Sequence, residues 1–286
     1  MFNVVNKKEC DVKIIAVANN KGGVAKTTTA GNLADGLARS MIRDGKATGR
    51  VLAIDLDPQG NLADFFGVRR SIGTRCIGEL LVGRQSLKEV VMPLDRSGED
   101  LPRPNLFLIP ASTALESTAQ ELVMRQMIPA YRDTLDLDTV LRDVLSPILP
   151  HFEYVILDCP PKLDVLKRAV YNLADEVVVP VKADHISLIG ARQHTNDLVA
   201  LKEGKNGRKF QARLVAILPT MVPTRQVLAR QTIQVMKRYY RDLVADPVPD
   251  SVLVKESPAT NGRTLFEYAP DSPPAQAYLS LVRRIA

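Results

Sequence analysis

Residues 19–32, "NNKGGVAKTTTAGN", combine the residue types that bind the phosphates of a nucleotide. Gly22 and Gly23 let backbone N–H groups approach phosphate oxygens, because no Cβ stands in the way. Lys26 would place a positive charge at the outer phosphates, and the Thr27 hydroxyl would be a ligand for Mg²⁺. The sequence therefore predicts a phosphate-binding loop that opens a helix.

This loop departs from the common pattern G-x-x-x-x-G-K-[ST] at several positions. The chain has Asn20 and Ala25 where that pattern requires glycine, and a second lysine, Lys21, lies five residues before Lys26. If Ala25 adopts a positive φ, its Cβ costs on the order of 1 kcal/mol. The residues predicted to bind the nucleotide here are Lys21, Gly22, Gly23, Val24, Ala25, Lys26, Thr27 and Thr28.

Three aspartates follow apolar segments that read as strands. Asp55 and Asp57 lie in "AIDLDPQGN", and Asp158 ends "YVILD". Asp158 would hold Mg²⁺ through a water molecule, and Asp55 would join the outer shell of the metal. Asp57 would orient or deprotonate an attacking water. Each aspartate alone also fits a turn cap, but the three elements in this order favour a nucleotide hydrolase.

Apolar segments alternate with helical ones along the whole chain, which predicts a mostly parallel, twisted sheet with helices on both faces. We interpret residues 1–286 as a single α/β domain of the P-loop NTPase type, with a helical and loop excursion at about 67–104. The predicted strands are 13–18, 50–56, 105–111, 154–160, 176–181 and 212–219. The predicted helices are 26–43, 112–127, 135–148, 187–203, 225–240 and 273–285. Residues 246–274, rich in proline and turn residues, are predicted to wrap one edge of the sheet.

Composition favours a soluble protein of a reducing, cytoplasmic compartment. Hydrophobic residues make up 45% of the 286 residues and charged ones 24%, and no apolar stretch is long enough to span a membrane. The three cysteines, Cys10, Cys76 and Cys159, are too widely spaced for a disulfide framework or a zinc site. Because the first predicted strand begins at residue 13, we expect no helix-turn-helix domain before it.

Taken together, the motifs resemble the ParA/MinD family of deviant Walker A P-loop ATPases. "KGGVAKTT" resembles the family motif K-G-G-x-G-K-[ST], "DLDPQGN" is similar to its switch I, and "YVILDCPP" to its Walker B and switch II. The block "VPDSVLVKESPATNGRTLFEYAPDSPPAQAY" resembles the C-terminal block of ParA and Soj partition ATPases. The likeness runs from about Lys13 to Ile285 and favours the ParA branch.

The resemblance implies ATP and Mg²⁺ as cofactors and a homodimer in the ATP-bound state. Lys21 corresponds to the signature lysine of the family, which reaches the phosphates held by the partner subunit. A cation supplied in this way neutralises transition-state charge as an arginine finger does. We therefore expect Lys21, Lys26 and Asp57 to be catalytic, Thr27, Asp55 and Asp158 to serve the metal, and Thr220 and Pro249 to lie near the adenine.

Positive charge is concentrated between residues 192 and 241, where the only acids are Asp197 and Glu203. The basic residues there are Arg192, Lys202, Lys205, Arg208, Lys209, Arg213, Arg225, Arg230, Lys237, Arg238 and Arg241. A solvated helix face is the plain interpretation, but clustered charge also suits contacts to DNA phosphates without sequence reading. By resemblance, the basic region at about 192–263 binds nonspecific DNA, through Arg225, Arg230, Lys237, Lys255 and Arg263. The family arginines at Asp250 and Leu253 are absent here.

The function predicted is an ATP-dependent partition ATPase of weak basal turnover. ATP would drive dimerisation and DNA binding, and a ParB-like, centromere-bound partner would stimulate hydrolysis and release from the nucleoid. One alternative is a MinD-like membrane ATPase, although "AYLSLVRRIA" reads as a last core helix. Another is an iron–sulfur reductase of the nitrogenase iron-protein type, which would need Cys76 and Cys159 at a shared cluster. A synthetase on the same fold is the third.

Overall fold

The computed structural model describes residues 12–68, 75–132, 134–162, 165–204, 210–223 and 225–286. Within these ranges the strands are β1 (Lys13–Val17), β2 (Ile42–Arg43), β3 (Lys46–Ala47), β4 (Val51–Asp55), β5 (Met92–Pro93), β6 (Leu106–Ile109), β7 (Tyr154–Asp158), β8 (Glu176–Lys182) and β9 (Arg213–Thr220). The longer helices are α1 (Lys26–Ser40), α5 (Ala114–Met127), α9 (His185–Glu203), α10 (Val227–Tyr240) and α13 (Pro273–Ile285). The shorter ones are α2 (Asn61–Phe65), α3 (Ile77–Leu81), α4 (Leu87–Val90), α6 (Pro129–Arg132), α7 (Val140–Leu145), α8 (Lys167–Leu173), α11 (Val252–Ala259) and α12 (Leu265–Tyr268). Single 3₁₀ turns lie at Ser97–Glu99, Leu149–His151 and Arg241–Leu243.

Seven of the strands form one sheet in the order β5-β6-β4-β7-β1-β8-β9. All neighbours pair in parallel except β5, which runs antiparallel to β6 at the edge. This confirms the predicted mostly parallel α/β fold. All six strands expected from apolar runs are present, because strands buried on both faces are almost continuously hydrophobic.

The central strands separate two hydrophobic cores. In β1, Ile14 and Ala16 belong to one core, and Ile15 and Val17 belong to the other, as alternating side chains require. The second core is closed by α1 and α13, whose Leu33, Leu37, Tyr278 and Leu281 are fully buried. Helix α13 is therefore a core helix, as "AYLSLVRRIA" predicted.

Helix α1 is shorter than predicted. It ends at Ser40 instead of continuing to residue 43, and a hairpin of β2 and β3 follows. Asp44 and Gly45 both have positive φ, 49° and 73°, which is the geometry of a two-residue hairpin turn. The prediction for 135–148 was also too long, since only Val140–Leu145 is α-helical there.

The two irregular regions are built into the fold. In the excursion, β5 forms the edge strand of the sheet, which the sequence did not predict. In the second region, residues 246–274, an isolated bridge joins Pro249 to Val222, and just before the region another joins Val244 to Ile217, so the chain extends the sheet beyond β9 as expected. It then forms α11 and α12, where Leu265 packs in the core beneath α1. Only the first part of residues 246–274 therefore borders the sheet edge.

Candidate active site: a phosphate loop beside two buried carboxylates

Three neighbouring strands end at the same level of the sheet. Val17 is in register with Asp158, and Asp158 is in register with Asp55, across β1, β7 and β4. The phosphate loop, residues 18–25, leaves β1 at this edge and leads into α1. Because ligands of parallel α/β sheets bind at the carboxyl ends of the strands, this edge is the candidate active site.

The phosphate loop is anchored to the sheet by hydrogen bonds, and its glycines are exposed to solvent. The amide of Asn19 donates to the Pro180 carbonyl at 2.7 Å, and its own Oδ1 accepts the Lys21 N–H at 3.0 Å. Gly22 and Gly23 are exposed, and Gly23 has a φ of 69°. A Cβ added at Gly23 would meet no atom of the described residues within 4 Å. Internal packing therefore does not account for this glycine, and the cradle remains free for a ligand's close approach.

Ala25 adopts the left-handed conformation, with φ 64° and ψ 37°, at the N-cap of α1. This is the backbone geometry for which the common pattern supplies glycine, so the expected strain is present. The Ala25 carbonyl still accepts the Thr29 N–H at 2.9 Å, which starts the helix.

Ala25→Gly is expected to stabilise the protein. Relief of the left-handed strain gains about 1–2 kcal/mol, and the added freedom of glycine in the unfolded chain offsets about 0.4–1 kcal/mol of it. Chemical denaturation should report a net gain of about 0.5–1 kcal/mol in the free energy of unfolding. The matched control is Ala200→Gly on the exposed face of α9, which should lose about 1 kcal/mol. A loss in both variants would contradict the strain at Ala25.

Lys26 lies buried at the base of the loop with 7% of its surface exposed. Its Nζ donates to the Lys21 carbonyl at 2.9 Å. Burial lowers the pKa of the Lys26 amine from its ordinary value, and the charges of Asp158 and Asp57 partly offset this. The ammonium therefore stands between the loop and the carboxylates, and the Lys21 side chain is exposed.

Asp55 and Asp57 have different surroundings. Asp55 is fully buried, and its two oxygens accept the N–H groups of Asp57 at 2.9 Å and Leu62 at 3.0 Å. Asp55 thus fixes the turn into α2, in addition to any role near a metal. Asp57 is half-buried, and one of its oxygens accepts the Gln59 N–H at 3.0 Å. It is the more accessible of the two carboxylates.

Asp158 is the most unusual group of the site. It is fully buried, and within the described ranges neither carboxylate oxygen makes a hydrogen bond of ordinary geometry. Burial raises its pKa well above the ordinary value, Asp55 adds to this, and the nearby Thr27 hydroxyl and Lys26 act in the opposite direction. A buried carboxylate at the end of a strand, beside the Thr27 hydroxyl at the start of α1, fits a divalent cation held through water.

The remaining predicted nucleotide-binding residues lie next to the loop and not within it. They are Thr28, Thr220 and Pro249. Thr28 is half-buried on the first turn of α1. The Thr220 hydroxyl, at the end of β9, donates to the carbonyl of the buried Val24 at 3.1 Å, so it supports the loop. Pro249 lies beside Val222, just beyond β9. Thr220 and Pro249 thus belong to the same edge of the sheet as the loop.

Comparison with known proteins identifies the family of this site. A family described as an AAA domain matches residues 12–210. The chain is 32% identical over 275 residues to the sporulation initiation inhibitor protein Soj of Bacillus subtilis, covering 96% of this chain and 98% of Soj. It is 36% identical over 275 residues to the chromosome-partitioning ATPase Soj of Thermus thermophilus, covering 96% and 95%. The chain belongs to the ParA/Soj family of partition ATPases.

Solved structures share the fold of this ParA/Soj-family ATPase. The complex of Cyanothece McdA(D38A) with ATP superimposes with a TM-score of 0.77 at 22% identity, over 96% of each chain. Cobyrinic acid a,c-diamide synthase of Mycobacterium smegmatis, with a bound ATP analog and magnesium, gives 0.71 at 26% identity, over 95% and 93%. One architecture thus serves proteins with different tasks, so the task must be argued from the site and the surface.

The predicted DNA-binding residues do not share one environment. Arg225, just before α10, and Arg230 and Lys237 on α10 are all exposed. Lys255 is exposed on α11. Arg263, between α11 and α12, is half-buried, and its Nε is buried without a hydrogen-bond partner in the described parts of the chain. The helix α10 group is therefore the better supported part of the predicted surface.

Two features modify the basic region as the sequence presented it. Tyr239 on α10 is 56% exposed, and the Arg192 guanidinium of α9 lies 4.3 Å from its ring centroid, so one arginine is stacked on an aromatic ring. Lys205, Arg208 and Lys209 lie outside the described residues.

The alternative functions gain little from the structure. Cys76 and Cys159 are each 1% exposed in the hydrophobic core, and burial raises the pKa of the Cys159 thiol well above its ordinary value. Thiols buried in this way are not accessible to an iron–sulfur cluster shared between subunits. Cys10 lies outside the described residues. Among the described residues, no helix combines the length and the apolarity that crossing a bilayer requires.

A side-chain network behind the loop escaped the sequence analysis. Asn20 contacts His194 and Asp197 of α9, and His194 contacts Tyr171 of α8. His194 and Asp197 lie 174 and 177 residues from Asn20 in sequence, and Tyr171 is likewise far from the loop. No sequence motif marked His194, because its burial and its hydrogen-bond partners arise only when the helices pack against the loop.

Proposed function

We propose that this partition ATPase is a nucleotide-dependent DNA-binding switch with ATP and Mg²⁺ as cofactors. ATP binding pairs two protomers, the pair binds DNA of any sequence, and a ParB-like partner stimulates hydrolysis and release from the nucleoid. The observation that carries the proposal is the arrangement at one sheet edge. The buried Lys26 and the buried Asp158, whose oxygens lack a hydrogen bond of ordinary geometry within the described ranges, lie beside a loop that exposes Lys21.

The triphosphate is bound by the phosphate loop and the start of α1. Backbone N–H groups from Gly22 onward and the positive end of the α1 dipole favour negative charge at this point. Lys26 reaches the outer phosphates by exchanging the Lys21 carbonyl for a phosphate oxygen, and Thr28 contacts an inner phosphate. The adenine lies toward Thr220 and Pro249, the far end of the same edge.

The metal-binding residues are Thr27, Asp55 and Asp158. Mg²⁺ prefers oxygen ligands and retains water, and the buried Asp158 oxygens make no hydrogen bond of ordinary geometry with any residue that the structure describes. When bound, the ion neutralises charge on the phosphates. Asp55 holds the turn that presents Asp57, because its oxygens accept the N–H groups of Asp57 and Leu62.

Hydrolysis requires a positioned water and compensation of charge. Asp57, half-buried at the mouth of the site, orients the attacking water. Lys21 of each protomer reaches the phosphates of its partner, where it offsets the negative charge that develops in the transition state. Two such lysines repel each other unless nucleotide phosphates lie between them, so pairing depends on ATP.

The proposal is tested on the intact protein by light scattering and DNA mobility shift, in the absence of nucleotide, with ADP and with ATP. We expect monomers without nucleotide and with ADP, and DNA-binding dimers with ATP and Mg²⁺. A protein that is monomeric in all three states and does not bind DNA would refute it. ATP turnover that depends on a small-molecule acceptor would favour the synthetase alternative instead.

Arg225→Glu is expected to weaken DNA binding at least tenfold while leaving ATP-driven pairing intact. Arg225 is exposed beside the basic face of α10, and replacing a cation by an anion removes a phosphate contact and adds repulsion. The slope of binding against salt should fall by about one unit. The matched control is Arg43→Glu, an exposed arginine on the β2–β3 hairpin, which should bind DNA normally. Equal affinities for the two variants would show that the DNA surface lies elsewhere.

A further inference from the structure

Asn20, the residue before Lys21, is held by both ends of its side chain. Its Oδ1 lies 3.0 Å from His194 Nδ1, and its Nδ2 lies 3.3 Å from an Asp197 carboxylate oxygen, which also accepts from Lys167 at 2.8 Å. His194 is 1% exposed, and its Nε2 lies 3.2 Å from the Tyr171 hydroxyl. One network of side-chain contacts thus connects helices α8 and α9 to the first part of the phosphate loop.

The direction of every hydrogen bond in this chain follows from one carboxylate. Asp197 can only accept, so the Asn20 amide nitrogen faces it and the Asn20 oxygen faces His194. That oxygen also only accepts, so His194 Nδ1 carries the proton and Nε2 accepts from the Tyr171 hydroxyl. Burial, with Lys167 nearby, lowers the pKa of His194 to about 4. The imidazole is therefore neutral at physiological pH, as this network requires.

Contacts of the two preceding residues fix the main-chain position of Lys21. Asn19 ties the loop to β8 through the Pro180 carbonyl and accepts the Lys21 N–H. Asn20 ties the loop to α9, and a Cβ built on Gly190 of α9 would lie 3.8 Å from Lys21 Cβ. The main chain at Lys21 is thus fixed between a strand and a helix, although its side chain is exposed.

We propose that Asn20 and His194 are positioning residues that aim Lys21 at the partner subunit's nucleotide. The inference rests on the proposed function, because it concerns the lysine that acts across the dimer. A flexible lysine loses conformational freedom when it crosses to a partner, and an anchored main chain reduces that loss. Neither residue touches the nucleotide in this proposal. Their effect passes through Lys21 alone.

The test is a double-mutant cycle between Asn20→Ala and Lys21→Ala. Sedimentation equilibrium with a slowly hydrolysed ATP analogue and Mg²⁺ gives the dimer dissociation constant of each variant. Asn20→Ala should raise the dimer dissociation constant about tenfold in the wild-type background. In the Lys21→Ala background, the same substitution should raise it less than about twofold. The affinity for ADP should change less than about twofold. Asn20 is exposed, so its truncation leaves no cavity, and melting curves check the fold.

A second pair of variants separates positioning from packing. His194→Asn keeps a donor at the Nδ1 position and should dimerise within about threefold of the wild type. His194→Gln moves its amide to the Nε2 position and should behave like Asn20→Ala. Gln193→Ala, on the exposed face of the same helix, is the matched control and should be silent.

The outcomes distinguish this inference from the function on which it rests. If the wild type stays monomeric with the ATP analogue, the proposed function fails and the inference fails with it. If the wild type dimerises and Lys21→Ala dimerises at least about tenfold more weakly, the function stands. Three results would then overturn the positioning role alone. The first is that the losses of dimer affinity from Asn20→Ala and Lys21→Ala simply multiply in the double variant. The others are that Asn20→Ala dimerises as the wild type does, or that the two His194 variants dimerise equally well.

Discussion

Lys26→Ala is expected to weaken ATP binding by at least about 100-fold, or about 3 kcal/mol. The ammonium is buried at the base of the loop, beside Asp158 and Asp57. Its removal deprives the phosphates of a charge-assisted donor and takes a positive charge away from Asp158 and Asp57. Isothermal titration with ATP and Mg²⁺ measures the loss. Pairing and DNA binding should be lost with it.

Two further variants show whether charge or packing is responsible. Lys26→Met keeps most of the side-chain volume without the charge, so it should lose ATP binding to a similar extent. Lys88→Ala on α4, an exposed lysine remote from the loop in sequence, should bind ATP as the wild type does. Retention of ATP affinity within tenfold in Lys26→Ala, with a normal melting curve, would contradict the assigned phosphate contact.

Asp57→Ala is expected to lower ATP hydrolysis about 100-fold or more while ATP binding is retained. The loss follows because Asp57 is the accessible carboxylate of the site, whereas Asp55 is occupied with the turn. A dimer that cannot hydrolyse ATP should stay on DNA, so its dissociation rate after an ATP chase should become much slower than the wild-type rate. Stopped-flow fluorescence on labelled DNA measures that rate.

The matched controls for this variant address the turn that Asp57 also supports. Asp57→Asn retains an oxygen for the Gln59 N–H, which Asp57 accepts at 3.0 Å, but it lacks the carboxylate. It should be as inactive as alanine if the carboxylate positions water, and nearly normal if only the turn matters. Asp271→Ala, at an exposed site before α13, should hydrolyse ATP normally. Fast release of Asp57→Ala from DNA would contradict the proposed cycle.

Much of the site was predictable from local patterns. Gly22, Gly23, Lys26 and Thr27 follow an apolar strand and open a helix, so chain continuity alone brings them to one place. Asp55 and Asp158 end apolar runs, and parallel strands bring their ends to one sheet edge. The left-handed conformation at Ala25 was likewise implied by the glycine of the common pattern.

The edges of the fold were less predictable. Strand β5 is only two residues long and pairs antiparallel, so it carries no periodicity to detect. The hairpin after α1 depends on two positive φ values at Asp44 and Gly45, inside a segment whose apolar residues continue the helical spacing. Arg263 was predicted to be a surface contact, yet packing between α11 and α12 left it half-buried.

The sequence by itself determined the α/β class, the phosphate loop and the order of the three aspartates, because each is recognised from local runs of residues. Tertiary structure alone decided that Asp158 is buried without a hydrogen bond of ordinary geometry to any described residue, that Asp55 is committed to a turn, and that His194 and Asn20 meet. These features depend on the packing of strands and helices distant in sequence. Burial and hydrogen-bond partners, which set the charge state of such groups, exist only after that packing.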